Sequence, residues 1–150
     1  MTWILVNLNR HPEALAKLRV EIKENLPGLL TGEIEIPTMD DLQNLPYLEA
    51  VVKENLRLYG IATARVPNQS VTLSDGTFAP FGCAVIMPAN ATARLKSKVT
   101  TVSPFKFSTF ISGPRQCIGM GFALMKMRIA TAVLFSRFDL KTVQEPFDIS

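Results

Sequence analysis

The sequence predicts a mainly α-helical chain with a small β element, and three observations carry that reading. Apolar side chains recur at helical spacing in three stretches: Leu15, Leu18, Ile22 and Leu26; Leu48, Val52, Leu56 and Tyr59; and Ile118, Phe122, Met125, Ile129 and Val133. Between the second and third stretches the pattern changes to short runs of β-type residues broken by turn signals. No internal repeat or low-complexity tract competes with this pattern.

Taken in order, Met1 to Leu8 read as the last turns of a buried helix that stops around Asn9-Arg10-His11. Pro12 suits a first helical position, because its missing N–H would have no helical partner there. The Leu15–Leu26 stripe follows, with Glu and Lys between the apolar positions, and Pro27-Gly28 is expected to end that helix before a polar loop to Pro37. Thr38-Met39-Asp40-Asp41 reads as the cap and acidic first turn of a short helix. Pro46 opens another helix, Tyr47 to Tyr59, which Gly60 is placed to end. Ser70-Val71-Thr72-Leu73, then Asp75-Gly76 and Thr77-Phe78, predict a hairpin, and Ala84-Val85-Ile86-Met87 a further strand. From Asn90 to Ser103 no period is evident, and after Cys117 the third stripe predicts a long helix.

Composition narrows the class. At 150 residues and 47% hydrophobic content the chain is not disordered and can bury a core, while 19% charged residues is low for an ordinary surface. That apolar excess points to surfaces meant to be covered. Two cysteines, Cys83 and Cys117, give no disulfide framework and favour a reducing compartment. The apolar run Met1–Leu8 is too short to span a bilayer and lacks a basic leader or cleavage site, so neither an anchor nor a targeting segment is expected in this chain.

The net charge of +3 is uneven: residues 1–95 hold eight basic and ten acidic side chains, residues 96–150 eight and three. A basic C-terminal third suits an acidic protein or anionic lipid as well as a plain solvated face. No interleaving of aromatic and basic residues argues for nucleic acid.

The most informative run is Phe110-Ile111-Ser112-Gly113-Pro114-Arg115-Gln116-Cys117-Ile118-Gly119, a Gly/Pro loop ending in a cysteine just before a helix. The unpartnered N–H groups of a helix start carry partial positive charge and stabilise a thiolate, the form of cysteine that binds metals. A lone thiolate suits an axial ligand of haem iron better than zinc, which needs three further ligands. Taken by itself, Cys117 also fits a small buried hydrophobe ahead of an amphipathic helix. Glu54 and Arg57, three residues apart, share a helix face and can pair, although such pairs are common on solvated surfaces.

The order Phe-x-x-Gly-x-Arg-x-Cys-x-Gly resembles the haem-binding signature of the cytochrome P-450 monooxygenases, matched at Phe110, Gly113, Arg115, Cys117 and Gly119. Glu54 and Arg57 sit on a helix followed by strands, as the structural E-x-x-R pair does in that family. Residues 1–150 then resemble the C-terminal portion of one such domain: the end of the long distal helix, the E-x-x-R helix, a β hairpin, the cysteine loop and the helix after it. The expected fold is an incomplete cytochrome P-450 fold.

The resemblance implies haem (iron protoporphyrin IX) with Cys117 as axial ligand. It places Arg115 and Arg65 on the propionates, the Phe110 ring over the sulfur, and Ile118 and Gly119 against the macrocycle. It implies a haem-thiolate monooxygenase that inserts one oxygen atom from O2 into a lipophilic substrate, with electrons from an NADPH-dependent reductase. It also implies the cytoplasmic face of the endoplasmic reticulum membrane, association with that membrane belonging to the full-length family. Ser103-Pro104-Phe105-Lys106-Phe107 resembles the long-chain fatty-acid hydroxylase branch.

Three departures stand against the pattern. The family's oxygen-activating acid-and-alcohol motif would precede Met1, so no catalytic residue is assigned here. A long loop is shortened at Lys96–Lys98, and Lys126 stands where a glutamate is usual. The alternatives are a truncated, non-catalytic remnant with weak or no haem binding, and a small helical protein with a chance match.

Overall fold

Three prolines set where helices begin in the computed structural model, which describes residues 1–60, 63–87, 108–111 and 113–142. Helix α1 (Thr2–Arg10) ends at His11, and α2 (Pro12–Asn25) ends at Leu26. Both His11 (φ −123°) and Leu26 (φ −132°) are non-helical because the ring of a following proline disfavours the α conformation before it. Pro27 therefore does more than the expected stop: it opens a further short helix, α3 (Pro27–Thr31), which ends at Gly32. The polar loop starts after that glycine. Pro46 opens α4 (Pro46–Leu58), as anticipated.

The short helix expected at Thr38 is a pair of turns instead. Thr38 and Asp41 exchange the cap bonds the sequence suggested: the Thr38 N–H donates to Asp41 Oδ2 at 2.7 Å, and the Asp41 N–H to Thr38 Oγ1 at 3.3 Å. Only i→i+3 bonds follow, Leu42 N–H to Met39 O and Gln43 N–H to Asp40 O, both 3.2 Å. The proline at 46 disfavours helical backbone at the residue before it, so these turns do not run on into the next helix.

The described chain falls into two compact units, Met1–Leu56 with Ile118–Ser150, and Arg57–Cys117. The first unit is helical. Its core joins Ile4 and Leu8 of α1, Leu18 and Ile22 of α2, Leu29 of α3 and Leu48 and Val52 of α4. Ala132 and Phe135 complete it from α5 (Met120–Arg137). Glu21 on α2 caps α4 from a distance, its two carboxylate oxygens accepting the N–H groups of Tyr47 (2.7 Å) and Leu48 (2.8 Å). A cap of this kind contributes roughly 0.5–2 kcal/mol.

Arginines tie down the end of α5. Arg19 donates to the carbonyls of Phe135 (3.2 Å) and Phe138 (3.1 Å), and Arg137 to those of Ile34 (2.6 Å) and Glu35 (3.0 Å).

The packed face of α5 is not the expected stripe. Thr131, Ala132 and Phe135 are buried, whereas Ile118 just ahead of the helix and Phe122 in its first turn are exposed. Met125, Ile129 and Val133 are half-buried. The helix is apolar on nearly every side, so periodicity could not choose its inward face.

The second unit holds two small antiparallel sheets. The expected hairpin pairs β2 (Val71–Thr72) with β3 (Phe78–Ala79), in register Val71 with Ala79 and Thr72 with Phe78. Its turn needs the left-handed backbone of Gly76 (φ +87°), which glycine adopts without a Cβ penalty. The expected strand β4 (Val85–Met87) pairs with β1 (Thr63–Arg65), a strand that no sequence signal marked. The region without period at Asn90–Ser103, the shortened loop at Lys96–Lys98 and the Ser103–Phe107 motif lie outside the described residues.

Candidate functional site

The cysteine loop is built from a 3-10 turn, Ser108–Phe110, and a tight reversal through Gly113. The Cys117 N–H donates to the Phe110 carbonyl at 2.9 Å, so the two ends of the signature meet. Inside the loop, Gln116 N–H donates to Gly113 O at 3.0 Å. Gly113 stands at φ +86° with open space where a Cβ would be, so glycine is needed there for backbone conformation rather than for room.

Ile111 has φ +60°, a left-handed backbone at a β-branched residue. Such a conformation costs of order 1–3 kcal/mol and persists only where its surroundings hold it. No residue type in the loop signals it. Backbone strain therefore sits one residue beyond Phe110, inside the signature itself.

Cys117 is a free, exposed thiol. It is not packed as a small hydrophobe. It also lies ahead of the first turn of α5 rather than within it, two residues before the N-cap Gly119. Arg115 is exposed beside it in sequence and Phe110 is half-buried. Ile118 is fully open (105% exposed) and Phe122 is 62% exposed. Lys126, one turn on, places its Nζ 5.4 Å above the Phe122 ring.

Among the remaining candidates, Arg65 ends β1, is exposed, and donates to the adjacent Ala64 carbonyl at 3.4 Å. Glu54 and Arg57 lie one turn apart on α4, both half-buried. The structure thus brings Phe110, Gly113, Arg115 and Cys117 into one loop of the second unit, while Ile118 and Gly119 belong to the first. Among the described residues no three His, Cys, Asp or Glu side chains gather at a metal-binding distance, so the donor chemistry on offer is a single thiol.

Sequence reasoning missed the polar contacts of α4 and α5. Glu49 on α4 pairs with Lys53 one turn on, and with Arg128 of α5 at 3.1 Å. The hydrogen bond from Lys53, aided by the charges of Arg128 and Lys53 and opposed by partial burial, holds the Glu49 carboxyl below the ordinary glutamate value. No helix among the described residues is long and apolar enough to cross a membrane.

Comparison with protein families matches residues 1–149 to the cytochrome P-450 family. Among curated proteins, the chain is 35% identical to cytochrome P-450 4F4 of Rattus norvegicus, over 92% of this chain and 29% of that protein. It is 35% identical to leukotriene-B4 omega-hydroxylase 3 of Mus musculus (93% and 30%) and 34% identical to cytochrome P-450 3A6 of Oryctolagus cuniculus (97% and 31%). The chain therefore spans less than a third of the length of these relatives, with shares of 29%, 30% and 31%.

Proposed function

Because the chain belongs to the cytochrome P-450 family, we propose that Cys117 is the axial ligand of haem iron in a monooxygenase acting on lipophilic, fatty-acid-like substrates. The observation that carries this reading is the free, exposed thiol of Cys117 at the end of a loop closed onto Phe110. The residues present fit haem by type: one thiol without a disulfide, an exposed guanidinium at Arg115, and large apolar side chains left open at Ile118 and Phe122.

In this reading the Cys117 sulfur would hold the iron. Arg115 and Arg65 would hold the propionate carboxylates as charge-assisted donors. The Phe110 ring would keep water from the sulfur, Ile118 would cover apolar macrocycle, and Gly119 would allow close approach. Glu54 and Arg57 keep a structural role on α4. When bound, thiolate-ligated haem supplies the oxygen chemistry, the ligand's electron density favouring O–O cleavage. No residue of this chain is assigned to proton delivery.

The similarity to a protein named for leukotriene-B4 omega-hydroxylation supports a lipid-like substrate. Electrons come from an NADPH-dependent reductase docking on the basic C-terminal part, at the cytoplasmic face of the endoplasmic reticulum membrane.

The open exposure of Ile118 and Phe122 favours a second reading, a non-catalytic chain that holds haem weakly and associates through apolar surface. Titration of haem into the purified chain separates the two. The monooxygenase reading expects a saturable Soret absorbance at one haem per chain, with displacement of the hydrophobic dye ANS. Strong dye binding that haem leaves unchanged, without saturation, overturns it in favour of the second.

A further inference from the structure

Helix α5 presents a choice that its apolar content does not decide. At 3.6 residues per turn, the stripe Ile118, Phe122, Met125, Ile129 and Val133 lies roughly a third of a turn from the face defined by Leu124, Arg128, Thr131, Ala132 and Phe135. Of the first, Phe122 is exposed, while Ile129 and Val133 are partly buried against the core. The structure buries the second, with a guanidinium at its centre: the Arg128 side chain is only 18% exposed. Thr131 is fully buried, and neither its Oγ1 nor the Arg128 Nε has a hydrogen-bond partner among the described residues.

Orphaned buried polar atoms of this kind are unfavourable. Ala132 and Phe135 bury apolar area on this face, and Arg128 sits among them. The one ionic contact at its centre is Arg128 Nη2 to Glu49 Oε1, 3.1 Å, reaching from α5 to α4.

We infer that the Arg128–Glu49 ion pair sets the rotation of α5 about its own axis, keeping the Ile118–Phe122 face open. Arg128 is thereby a positioning residue for that apolar face. The inference deepens the reading above and rests on it in one respect, that the open face is the one haem meets. The pair is only partly buried, Arg128 being 18% and Glu49 38% exposed, so it contributes little to stability while favouring one helix face toward α4. The wide separation of the other anchors fits this role. Arg19 binds carbonyls at and beyond the last turn and Arg137 reaches from that turn to Ile34 and Glu35, whereas Arg128 lies mid-helix on the packed face.

The test needs no haem, so its failure is distinct from failure of the haem reading. Phe122→Trp in a Trp3→Phe background places the sole tryptophan on the open face, where acrylamide should quench it freely. Adding Arg128→Met makes the packed face apolar. The expected result is retained helical circular dichroism, with loss of acrylamide quenching and a blue shift of emission as α5 rolls to bury position 122. A tryptophan that stays quenched in the folded Arg128→Met variant overturns the inference. If that variant fails to fold, the exchanged pair Glu49→Arg with Arg128→Glu decides. Recovery of a folded chain with a quenched tryptophan supports the pair as the determinant; no recovery overturns it.

Discussion

Replacing Cys117 with alanine is expected to abolish thiolate ligation while leaving the folded chain intact. The sulfur is exposed and unbridged, so its loss creates no core cavity, and stability should change by no more than about 0.5 kcal/mol. Haem held by the apolar side chains would still absorb, but the long-wavelength Soret band of a thiolate-bound, carbon-monoxide-treated ferrous haem would be gone. Paired spectra and thermal melts of the parent and Cys117→Ala chains check this. A large fall in melting temperature would instead place Cys117 in the core.

The largest effect on stability is expected at Phe135. Its ring is 1% exposed in the cluster shared with α2 and α3, and its carbonyl accepts from Arg19. Phe135→Ala should cost about 3–5 kcal/mol, the lost transfer energy plus the cavity left behind. Against a total stability of roughly 5–15 kcal/mol for an ordinary domain, that is enough to unfold a substantial fraction of molecules. Urea unfolding should show a lower midpoint with an unchanged slope. A loss below about 1 kcal/mol would mean that α5 is not seated through this ring.

Much of this was legible because the signals were local. Pro12 and Pro46 place helix starts through covalent geometry, and Asp75-Gly76 places a turn through backbone conformation. The signature from Phe110 to Gly119 was readable for the same reason, its residues being close in sequence. Local rules also misled where two of them met. Pro27 both stops α2 and starts α3, and Thr38 with Asp41 makes a capping pair that only turns follow.

What remained hidden depends on partners distant in sequence. Strand β1 is three residues long and exists only through β4. The cap of α4 comes from Glu21, on another helix. The inward face of α5 is marked by Arg128 meeting Glu49, a contact no period in either helix reveals. The left-handed backbone of Ile111 had no sign in its residue type, which disfavours that conformation.

Whether Cys117 presents a thiolate to haem iron is read most directly from the reduced carbon-monoxide difference spectrum of the purified chain supplied with haem. The red-shifted Soret band for which the family is named is the expected result. Haem bound with only the unshifted band would rule out thiolate ligation by Cys117.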